Sequence, residues 1–167
     1  INNCVFRDTY YGFYSNSSGT TYINNCLFYN TQAYAIYPNG SSTIYCFNSI
    51  FIDNDTVWRD TGSRNTYYNN YYNNNNVNIT LGTGDITTDP LFTDIAAGYT
   101  LQSTSPCKDA GTSNPSYNDP DGSVNDIGLY GGPYTWSSGP VISGFSVSPS
   151  TVNQGATITI QATGTGN

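Results

Sequence analysis

Residues 1–8 read INNCVFRD, and residues 23–30 read INNCLFYN. The pattern returns in looser form as FNSIFIDN at 47–54 and NNYYNNN at 69–75. Taking Asn3, Asn25, Asn48 and Asn70 as equivalent gives spacings of 22, 23 and 22 residues. Between these anchors lie short runs rich in β-branched and aromatic residues, among them GFYS, TTYI, YAIY, STIYCF and TVWRD, separated by turns of Gly, Ser and Asn. Each period therefore holds three short strands. A fixed period of this length signals a stacked architecture.

A unit this small cannot bury an apolar face alone, whereas units stacked at the inter-strand spacing of roughly 4.8 Å share one core. The fold expected is all-β, a right-handed parallel β-helix of about four coils. Stacking places like over like, which predicts an Asn ladder bonded from rung to rung and an inward aromatic column of Phe6, Phe28, Phe51 and Tyr72. Alternation along a strand puts Cys4 with Phe6, and Cys26 with Phe28, on that inward face.

Composition agrees with this architecture. All 11 acidic residues among the 167 are Asp, and Glu, His and Met are absent. Asn, Thr, Gly and Tyr suit turns and strands better than helices. The absence of His removes Ser-His-Asp and Cys-His relays and the HExxH zinc motif. The four basic residues, Arg7, Arg59, Arg64 and Lys108, against a net charge of −7, argue against nucleic acid as a partner. No run approaches the ~18 apolar residues of a membrane span, so no membrane insertion is expected.

The repeat resembles those of right-handed parallel β-helix proteins found among secreted microbial surface proteins and polysaccharide-degrading enzymes. DPLFTDIAAGYTLQSTSPCKDAG at 89–111 and DPDGSVNDIGLYGG at 119–132 resemble the closing segment of such proteins, with Leu129 where that pattern more often has Ala. The resemblance covers residues 1–132. A closing segment is expected to cover the open β edge of the last coil. Residues 133–139 read as a Pro, Gly and Ser linker. Residues 140–167 resemble the first strands of an immunoglobulin-like domain, FSVSPS and ATITIQAT on either side of an NQG turn. Such a sandwich takes about seven strands, so this segment is expected either to begin a larger domain or to act as an exchanged strand. The opening residues read as the interior of a repeat, and the chain is expected to be a piece of a longer protein.

Several groups are candidate sites. Trp58, Arg59 and Asp60 combine an aromatic face with a charge pair and form a candidate sugar-binding trio, with a local ion pair beside an aromatic as the structural alternative. Asp119, Asp121, Asn125 and Asp126, spaced around Gly122, offer oxygen ligands suited to calcium; the alternative is a turn whose carboxylates accept from backbone N–H groups. Cys4 and Cys26 sit one coil apart, at a distance compatible with a disulfide but with parallel side chains better suited to two stacked thiols. Asp8 and Asp53 read as turn residues. Sequons begin at Asn16, Asn39, Asn54 and Asn78. No catalytic residue is assigned.

These observations predict a non-catalytic extracellular structural or adhesive surface module, partnering glycans or copies of itself. The alternatives are a polysaccharide lyase or glycoside hydrolase, and a self-assembling fibre subunit that would form a homopolymer through its C-terminal strand. Calcium is the one cofactor with candidate ligands.

Overall fold

The structure is a computed structural model that describes residues 1–134 apart from 17 and 97. The chain divides into two units, Ile1–Thr135 and Trp136–Asn167. The expected linker beyond Tyr134 and the expected immunoglobulin-like strands at 140–167 lie outside the described residues.

The strands in chain order are β1 (Val5–Arg7), β2 (Tyr11–Ser15), β3 (Thr20–Asn24), β4 (Leu27–Tyr29), β5 (Tyr34–Pro38), β6 (Thr43–Phe47), β7 (Ile50–Ile52), β8 (Thr56–Trp58), β9 (Ser63–Tyr67) and β10 (Asn70–Tyr72). They pair as three parallel sheets, β1-β4-β7-β10, β2-β5-β8 and β3-β6-β9. Each coil gives one strand to every sheet, so the fold is a parallel β-solenoid. The expectation of four coils is corrected to three complete ones, with β10 opening a fourth. Beyond β10, an Asn run and Gly82 and Gly84 supply poor strand formers, and among the described residues the backbone makes only isolated bridges, Thr56 to Asn76, Asn70 to Ile86 and Phe92 to Leu101.

Phe6, Phe28 and Phe51 stack in register, with centroids 4.7 and 4.8 Å apart and rings within 9° of parallel. The fourth member is Tyr71, 5.0 Å below Phe51, and not the expected Tyr72, which pairs with Ile52. The third coil is shorter than the second: Phe51 to Tyr71 spans 20 residues, against 23 from Phe28 to Phe51. Asn70 therefore lies beside Ile50, and Tyr68 takes the turn position held by Asn3, Asn25 and Asn48. All four are left-handed, at φ 48, 50, 54 and 58° for Asn3, Asn25, Asn48 and Tyr68. Asn tolerates this conformation because its short polar side chain bonds locally.

Cys4 and Cys26 face inward with Phe6 and Phe28, as expected, beside Ile23, Ile36, Ile44 and Trp58. The outer face of β1-β4-β7-β10 is also covered. Leu27, Ile50 and Ile52 pack there against Cys107 and Ile127, with Ile86, Phe92 and Leu101 alongside. Burial on both faces explains why β7 reads IFI without alternation.

The open edge of the last coil is covered by residues 76–86, and not by the DPLF to YGG segment. Val57 N donates to Asn76 O at 2.8 Å, and Tyr68 and Tyr71 N donate to Thr83 and Ile86 O at 2.9 Å. The later segment runs back along the flank, and the left-handed asparagines hold it. Asn48 accepts from Thr112 N at 2.9 Å. Asn25 Nδ2 lies 2.9 Å from Asn125 Oδ1, Asp126 O and Gly128 O. Asn3 Nδ2 reaches Leu129 and Gly131 O at 2.7 and 3.0 Å.

The rung-to-rung ladder forms in two other columns. Thr31 N donates to Asn54 Oδ1 and Asn54 N to Asn74 Oδ1. Cys26 N donates to Ser49 Oγ, Ser49 N to Asn69 Oδ1 and Asn69 N to Asp85 Oδ1.

Candidate functional site

Trp58, Arg59 and Asp60 do not share a surface. Trp58 is fully buried in the interior, where its ring tilts against Phe51. Arg59 lies over the ring of Tyr37, with its guanidinium carbon 4.1 Å from the centroid. Asp60 pairs instead with Arg64, at 2.8 Å.

The Asp119 to Asp126 turn directs its acceptors to its own surroundings. Asp119 accepts from Gly132 N at 2.5 Å and Asp126 N at 3.1 Å. Asp121 accepts from the Ser123 backbone and hydroxyl, bonds that hold its carboxyl below the usual range. Asp126 accepts from Lys108 and from Asp109 N, and Asn125 is buried against Asn25. Among the described residues, no three His, Cys, Asp or Glu side chains gather where they would hold a metal.

All four cysteines are free thiols, Cys4 and Cys26 included. Burial pushes the Cys26 thiol up to about 12 and the Cys107 thiol up to about 11. These sulfurs remain protonated at neutral pH and pack as small apolar groups.

The turn carboxylates are likewise engaged. Asp8 and Asp53 are left-handed turn residues that accept from Asn30 and Asn73 on neighbouring coils. Alternating Asp with Asn along this column gives each carboxylate an amide partner. Of the sequon asparagines, Asn54 is buried with its amide donated to Phe28 O and Asn74, Asn78 donates to Trp58 O, and Asn39 donates to Tyr14 Oη and Asn16 Oδ1.

The outer face of β2-β5-β8 gathers tyrosines that were not singled out from the sequence, together with Arg59 of the expected trio and the sequon residues Asn16 and Asn39. Tyr11 aligns with Tyr34, and Tyr14 with Tyr37. The Tyr37 ring meets Tyr11 and Tyr14 edge-on at 4.9 Å and carries Arg59 on its face. Burial pushes the Tyr11 phenol up, and the nearby Arg59 charge opposes that shift. Tyr10 and Tyr14 remain 61% and 47% exposed. The amides of Asn39 and Asn16 border the cluster. A signal was present in the sequence: YGFY at 11–14 and YAIY at 34–37 repeat one Y-x-x-Y spacing a coil apart.

An open cleft of about 470 Å³ lies on another side, with Tyr22, Phe47, Tyr117, Tyr134, Asn2 and Asn114 among its lining. Its floor is the outer face of β3-β6-β9, where Tyr22 stacks on Tyr45 at 5.0 Å.

These features define a parallel β-solenoid whose outer walls carry tyrosine and amide groups. No family model matches the chain, and no curated protein or solved structure matches it. Its class rests on its own strand pairing.

Proposed function

We propose that this chain is a non-catalytic structural or adhesive module of an extracellular surface, and that it binds glycan through the outer face of β2-β5-β8. The observation that carries this reading is the Tyr11, Tyr14, Tyr34 and Tyr37 cluster bordered by Asn16 and Asn39. Aromatic rings pack on the apolar faces of sugar rings, while phenols and amides bond their hydroxyls. Backbone pairing holds the cluster on strands, which fixes its geometry more firmly than a loop would. The carboxylates of the repeat are each engaged by amides, hydroxyls or arginines, which supports binding without turnover. The same reading makes the coil right-handed. It also places at 140–167 the start of an immunoglobulin-like domain or an exchanged strand.

Incubation with neutral and acidic polysaccharides tests it, with reducing ends, unsaturated ends and retardation in polysaccharide-containing native gels as readouts. Retardation without product release is the expected result. Turnover that disappears on replacing Asp53 or Asp60 would instead establish an enzyme, and absence of retardation by every polymer would remove the glycan reading.

A further inference from the structure

The described residues include all four basic side chains. Arg7 pairs with Asp8 at 2.9 Å, Arg64 with Asp60 at 2.8 Å and Lys108 with Asp126 at 2.8 Å. Arg59 is the one without a carboxylate partner among the described residues, in a chain of net charge −7. Its neighbour Asp60 is turned to Arg64. The Arg59 backbone N donates to Ile36 O, so the residue is anchored to β5, and its guanidinium lies over Tyr37.

A guanidinium laid against an aromatic face keeps the N–H groups at its edge, in the plane of the fork. Those donors match the paired oxygens of a carboxylate or a sulfate ester. Tyr11 and Tyr14 meet the same Tyr37 ring edge-on, so a sugar seated on the tyrosines has its substituents within reach of that fork. A chain this acidic repels a polyanion at long range, and its attraction must therefore be local.

We propose that Arg59, held on Tyr37, reads an oxyanion carried by the bound sugar, so that the glycan this face prefers is acidic. The proposal rests on the glycan reading above. It is shared chemistry for two sources, uronic acid carboxylates and sulfate esters.

Titration calorimetry with four defined oligosaccharides separates them: a glucuronic acid oligomer, its methyl ester, a sulfated galactan oligomer and its desulfated form. The charged member of at least one pair is expected to bind about tenfold or more tighter than its neutral counterpart, as a hydrogen bond to a charged group implies. Arg59→Gln should bring the affinity ratio within each pair to within about twofold of one, and Arg59→Lys should restore only part of the preference. Equal affinity within both pairs of the unmodified chain overturns the proposal without any variant and leaves the glycan reading standing. A preference that survives Arg59→Gln in a folded variant also overturns it. If none of the four binds, the proposal falls, and the glycan reading falls with it only where no polysaccharide retards the chain in the native gel.

Discussion

Asn25 holds a left-handed turn and, with the same side chain, the flank segment that runs back over the coils. Replacing it with Ala leaves the buried carbonyl of Gly128 and the half-buried one of Asp126 without their donor and places a Cβ residue without a local polar bond at φ 50°. The expected loss is about 2–4 kcal/mol by urea unfolding, with Asn30→Ala, at an exposed turn, as the control that loses far less. The thiols supply a pH-dependent counterpart. Because burial raises Cys26 to about 12 and Cys107 to about 11, the native state retains protons that the unfolded chain releases from the ordinary thiol range upward. Their contribution is complete below that range and is lost as pH climbs toward the folded values. Unfolding free energy should therefore decline on the alkaline side, and Cys26→Ala should flatten the decline. Cys26, Cys46 and Cys107, all buried, should react with a thiol reagent at pH 8 only as fast as the protein opens, whereas half-buried Cys4 reacts first.

Among the elements, the stack of Phe6, Phe28, Phe51 and Tyr71 sets the register, and Phe51, which like Phe28 has rings on both sides, also carries Trp58 tilted against it. Phe51→Ala should cost about 3–5 kcal/mol in the same unfolding assay. Amides of β4 and β7, paired on both edges, should exchange more slowly than those of β1, the end strand of its sheet. The first two rungs were legible because INNC and the following Phe recur almost unchanged. The fourth was not, because Asn69-Asn70 imitates the doublet at Asn24-Asn25 although Tyr68 occupies the turn. The tyrosine face was hidden for a related reason. Regular alternation would send Tyr34 and Tyr37 to opposite faces, but Ala35 and Ile36 are both buried, and this break returns both tyrosines to the outside. Trp58 was misplaced by the same kind of irregularity, since Val57 beside it is buried as well.

For the molecule as a whole, the missing Glu, His and Met follow from the architecture, and the Asp residues are spent largely on turns and on bonds to the flank segment. The acidic cluster at 119–126 drew attention as a calcium site because spacing alone does not distinguish metal ligands from acceptors of backbone N–H groups. What remains for function is the outer wall. Its central claim, a glycan seated on β2-β5-β8, is tested most directly by titrating the isotopically labelled chain with a soluble oligosaccharide of the retained polymer and following its ¹H–¹⁵N spectrum. Shifts gathered at Tyr11, Tyr14, Tyr34, Tyr37 and Arg59 are the predicted result. Shifts confined to Tyr22, Tyr117 and Tyr134, or an unchanged spectrum at saturating sugar, would contradict it.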